Sequence, residues 1–116
     1  MNQHHKISYL ELPARDLPGT KAFFSQVFGW EFTDYGPEYT CFTNGGMPGG
    51  FYKAGVSACT DKGSVLMVMY SEDLSTTQTK VEKAGGKVIK PIFSFPGGRR
   101  FHFSDPSGNE YAVWSH

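Results

Sequence analysis

Apolar and polar positions follow two rhythms along this chain, and each rhythm appears twice. Between Asp16 and Gly29, the residues Phe23, Phe24, Val27 and Phe28 recur at three- and four-residue spacing, the stripe of a helix packed on a sheet. Between Asp73 and Gly86 a more polar segment keeps Leu74, Val81 and Ala84 as its apolar face. A strand candidate precedes each helix, Ile7 to Leu12 and Ser64 to Tyr70, and three follow it. In the first half these are Trp30 to Tyr35, Tyr39 to Thr43 and Gly50 to Lys53; in the second they are Lys87 to Phe93, Arg100 to Ser104 and Glu110 to Ser115. Gly- and Pro-rich loops separate them, and the Asp105-Pro106-Ser107-Gly108 turn sets up a closing hairpin.

The two halves align. Displacing the chain by 57 residues lays Asp16 on Asp73, Leu17 on Leu74, Thr20 on Thr77 and Gly29 on Gly86. These are the punctuation of a helix. The aspartates stand where a side-chain oxygen caps the first free N–H groups, and the glycines where a helix ends in the left-handed conformation. The pattern predicts an α+β fold of two tandem βαβββ modules, about 5–54 and 64–116, forming one curved mixed sheet within a single domain 1–116. Residues 55–63 are the link.

Composition narrows the function. A chain of 116 residues suits one compact domain. Eleven Lys and Arg balance eleven Asp and Glu, so no charge footprint for nucleic acid or an anionic membrane is present. The longest apolar run, Val65 to Tyr70, is far too short to span a bilayer, and the opening MNQHHKISYL lacks a signal-peptide layout; a cytoplasmic protein is expected. Cys41 and Cys59 are read as reduced thiols. Aromatic residues make up 16% of the chain and are spread along it, as lining for a core or a pocket.

The duplicated module, the stretch ARDLPGTKAFFSQVFGWEF, the Gly-Gly entering the fourth strand and the closing FSDPSGNEYAVW resemble the vicinal oxygen chelate superfamily, which includes glyoxalase I, extradiol dioxygenases, and fosfomycin and bleomycin resistance proteins. The resemblance covers nearly the whole chain. It implies the fold, but not one reaction, because the scaffold hosts several chemistries. Metal enzymes of that group hold a divalent ion with His and Glu side chains from the first, fourth, fifth and eighth strands. Carried over by position, those sites fall on Tyr9, on Gly50 or Phe51, on Leu66 and on Ala112. None is a good ligand for such an ion, so no metal and no cofactor is expected there.

Strand alternation sends Tyr9, Glu11, Leu66, Val68, Tyr70, Ala112 and Trp114 to one inner face, while Leu10, Leu12, Val65, Met67 and Met69 point at the helices. The inner set is aromatic and apolar, and the small Ala112 leaves room beside Trp114. It suits a hydrophobic or aromatic small molecule, with Glu11 or Glu110 supplying polarity. The same residues also fit packing within the chain or across a homodimer interface. A displaced metal or acid–base site built from Glu11, His102 and Glu110 is the alternative, and it would make the protein a glyoxalase-like lyase or dioxygenase. In the blander reading Glu110 lies in water at the strand's open end, Glu11 pairs with a Lys or Arg, and His102 is an ordinary strand residue.

Overall fold

A computed structural model describes residues 2–116. Its elements run β1 (Leu10–Ala14), α1 (Leu17–Phe28), β2 (Phe32–Asp34), β3 (Tyr39–Phe42), β4 (Gly49–Lys53), β5 (Met67–Tyr70), α2 (Leu74–Lys83), β6 (Lys87–Phe95), β7 (Gly98–Ser104) and β8 (Glu110–Ser115). The expected βαβββ order thus occurs twice. The strands form two four-stranded mixed sheets, ordered β1-β4-β3-β2 and β5-β8-β7-β6. In each the first and fourth strands run parallel and the other pairs antiparallel. No hydrogen-bonded ladder joins the sheets, so the single curved sheet of the sequence reading resolves into two. Among the described residues no helix is long and apolar enough to cross a membrane.

Local chemistry explains the helix ends. Asp16 accepts a hydrogen bond from the Gly19 amide at 3.0 Å and Asp73 one from the Thr76 amide at 3.1 Å, so both caps stand where the pattern put them. Gly29 closes α1 at φ 73°. At the second helix the left-handed residue is Gly85 (φ 94°), not Gly86. Gly86 meets a different demand: a Cβ there would lie 2.7 Å from the ring of Phe23 and 2.8 Å from Val81. Two strands also start later than expected. β1 begins at Leu10, leaving Ile7 exposed, and runs through Pro13, which an edge strand tolerates because it has no outward N–H to pair. β5 begins at Met67, because a turn of 3-10 helix over Thr60–Lys62 and Gly63 (φ 82°) precede it. Val65, expected against the helices, is 84% exposed.

α1 ties the sheets together. Phe24 is fully buried, and its ring lies 4.7 Å from Trp30, 5.7 Å from Phe51 and 5.1 Å from Tyr111, so one side chain touches both halves. Trp30 sits in the connection before β2 rather than in the strand, sandwiched between Phe24 and Phe42. The closing turn is a polar latch. Asp105 accepts from the amides of Ser107 (2.9 Å) and Asn109 (3.0 Å) and from the Tyr111 hydroxyl (2.7 Å). Burial pushes the Asp105 carboxyl up to about 6, against these hydrogen bonds. Asn109, fully buried, donates to the Pro13 carbonyl at 2.6 Å and accepts from the Ala58 amide at 2.8 Å. Ser107 accepts from the Asp16 amide at 3.0 Å and meets the Thr20 hydroxyl at 2.7 Å. The hairpin turn is therefore architecture that fastens the second sheet to the first half.

Candidate functional site

Helices cover one side of each sheet and leave the other open. On the first sheet's open face, Glu11 stands opposite Gly50, and Tyr39 opposite Tyr52. The Tyr39 hydroxyl donates to Glu11 Oε2 at 2.9 Å and meets the Tyr9 hydroxyl at 2.6 Å. A carboxylate can only accept, so Tyr39's proton is spent on Glu11 and its oxygen takes the proton of Tyr9. Burial, then hydrogen bonds from Tyr9 and to Glu11, push the Tyr39 phenol far up and keep it protonated. Among the described residues no Lys or Arg forms an ion pair with Glu11.

The partner of this chain is Gly50. A Cβ at that position would run into the Tyr39 hydroxyl and ring, so the missing side chain is what seats the phenol. Gly50→Ala should therefore displace Tyr39 and cost about 1–3 kcal/mol by urea denaturation, and most of that cost should vanish in a Tyr39→Ala background.

The second sheet's open face carries the other cluster. Cross-strand register builds the rows Val68–Ala112–His102–Lys90 and Tyr70–Trp114–Arg100–Phe93. His102 is 2% exposed and Glu110 7%, and His102 Nδ1 lies 2.8 Å from Glu110 Oε2. Glu110 Oε1 accepts from the Thr60 amide and hydroxyl, both at 2.8 Å. Burial pushes the Glu110 carboxyl up, but the hydrogen bonds from His102 and Thr60 outweigh it and hold the group below the usual carboxylate range. Glu110 is thus buried and paired, not solvated, and His102 is not an ordinary strand residue.

One row along, Val68, Phe95, Gly97, Arg100 and Trp114 line a cavity of about 290 Å³. The Arg100 guanidinium lies 5.4 Å from the Phe93 ring centre and 5.5 Å from that of Phe95, and its Nε is buried without a protein partner. Trp114 packs edge-on against Tyr70 at 5.1 Å and against Phe95 at 6.3 Å. Ala112 is fully buried, so the room expected above it is closed, and the open space lies beside Trp114 instead. Leu66 is half-buried just ahead of β5 and lines none of this cavity.

The sequence reading thus found Val68, Tyr70, His102, Glu110 and Trp114 on one face, and Tyr9 and Glu11 on another. It missed Tyr39, Thr60, Phe95 and Arg100. Arg100 had a signal, since it shares a strand face with His102; the other three come from distant segments.

Matching these observations to known proteins decides the family. The family model described as the glyoxalase/bleomycin resistance protein/dioxygenase superfamily matches residues 6–113. The chain belongs to that superfamily. A glyoxylase-like domain-containing protein of Didymella fabae is 30% identical over 124 residues, covering 95% of this chain and 93% of that protein. Among solved structures, a glyoxalase-related enzyme from Fulvimarina pelagi superposes with a TM-score of 0.80 at 16% identity, over 97% of this chain and 88% of the other. The genomically encoded fosfomycin resistance protein of Listeria monocytogenes does so with a TM-score of 0.80 at 17% identity, over 98% and 95%. A mutant of that Listeria protein is complexed with Mn(II) and a dihydroxypropylphosphonic acid.

The superfamily's metal site does not fit the residues present. Of the positions aligned with its ligands, Ala112 and Leu66 have no donor atom, Gly50 has no side chain and its space is filled by Tyr39, and Tyr9 is a phenol bonded to that same Tyr39. Among the described residues no three His, Cys, Asp or Glu side chains converge to hold an ion. Glu11 belongs to the tyrosine chain while His102 and Glu110 pair with each other, so the displaced trio is not assembled.

Proposed function

We propose that this glyoxalase/bleomycin resistance-like protein binds a flat organic molecule carrying an anionic or hydrogen-bond-accepting group, without a metal at the superfamily's position. The observation that supports this most is the Arg100 Nε, buried and unpaired at the wall of a cavity otherwise formed by Val68, Phe95 and Trp114. Such a wall offers an indole face to an aromatic ring and a fixed cation to its acid group. In a Trp30→Phe background, 1-naphthoate should quench Trp114 fluorescence saturably. Arg100→Met should weaken binding about tenfold, and the uncharged 1-naphthylmethanol should bind no better to wild type than naphthoate does to Arg100→Met. An unchanged signal across ligands would remove the reading.

We also propose a homodimer. β1 and β5 are free sheet edges, and Ile7, Tyr9, Val65, Val68 and Tyr70, at or beside them, are exposed. Sedimentation equilibrium at micromolar concentration should give twice the chain mass; a monomer would contradict it.

A further inference from the structure

Two buried nitrogens lack protein partners, Arg100 Nε and His102 Nε2, and their side chains share one face of β7. A buried polar group left unpaired costs about 1–3 kcal/mol, so a face needed only for folding would carry apolar residues there. Ionised Glu110 can only accept, so His102 donates from Nδ1 and keeps a lone pair on Nε2. The two ring nitrogens of an imidazole point nearly opposite ways. With Nδ1 turned to Glu110, Nε2 faces the Arg100–Trp114 row that walls the cavity. Phe93, its ring centre 5.8 Å from that of His102, shields it from water.

We infer that the His102–Glu110 pair is a proton acceptor for an acidic hydroxyl, a phenol or an enol, on the ligand of the Trp114 cavity, with Arg100 receiving the oxyanion. This rests on the binding reading above. In the step, the ligand O–H bond breaks, the proton bonds to Nε2, and the electron pair stays on the ligand oxygen. The imidazolium so formed is held against the Glu110 carboxylate, whose other oxygen is fixed by Thr60. Arg100 makes no ion pair among the described residues and rests on the faces of Phe93 and Phe95, so it is free to turn to the anion. The ionisable groups around His102 are Glu110 on β8, Lys90 opposite it on β6, Arg100 on β7, Tyr70 on β5 and Asp61 in the 3-10 turn.

The test uses 4-nitrophenol, whose ionised form absorbs in the visible. Binding is read by Trp114 quenching in the Trp30→Phe background, and ionisation by the phenolate band over a pH series. The expected result is at least tenfold more phenolate in bound than in free dye at mildly acid pH. His102→Gln should abolish that excess while quenching persists. Nitrogen NMR of the otherwise unaltered protein, which needs no His102 variant to fold, should show Nε2 gaining a proton only with dye bound. Bound dye that titrates as in water, or an Nε2 unmoved by it, overturns the inference and leaves binding intact. No quenching at all overturns both.

Discussion

Asn109→Ala should destabilise the protein by about 3–5 kcal/mol, read as a lower midpoint in urea with an unchanged slope. The side chain is fully buried and makes two bonds that leave its own sheet, to the Pro13 carbonyl and the Ala58 amide. Truncation strands both partners away from water, and each stranded group costs about 1–3 kcal/mol. A domain of this size is worth only about 5–15 kcal/mol in total, so one residue in the closing turn holds a large share of it. Asn109→Asp should rescue little, because a carboxylate in that seat faces the Pro13 carbonyl with no proton to donate. A loss under about 1 kcal/mol would show that the turn is not the latch between the halves.

Glu110→Ala is the second large effect, also about 3–5 kcal/mol, because it leaves His102 buried beside an empty seat and unpairs the Thr60 amide. Its pH dependence has a fixed sign. The folded carboxyl lies below its ordinary value of 4.5, so its contribution is full above about pH 4.5 and is lost as pH falls through the folded value. Acid denaturation of wild type should therefore include a limb that Glu110→Gln lacks. Equal acid limbs in the two proteins would mean that Glu110 is not ionised and paired in the folded state.

Much of the fold was legible because helices and turns are punctuated locally. Asp16, Asp73 and Gly29 act within a few residues of themselves, and the 57-residue repeat exposes them twice. The choice between Gly85 and Gly86 was not legible, since it depends on Phe23 approaching from the other half. The same distinction runs through the site. Alternation along β8 put Glu110, Ala112 and Trp114 on one face, but nothing local shows that Thr60 buries Glu110 or that Ala112 is covered. Tyr39 pairs with a carboxylate 28 positions away, and only the register of β1, β3 and β4 brings them together.

The central claim is that the second sheet's open face takes an organic anion with its own side chains. Calorimetric titration of chelator-treated protein with 1-naphthoate, repeated after adding Zn²⁺ or Mn²⁺, tests it most directly. The account predicts one affinity in both titrations, lowered about tenfold by Arg100→Met and abolished by Trp114→Ala. Binding that appears only when the metal is present, and is lost with Glu110→Ala, would contradict it.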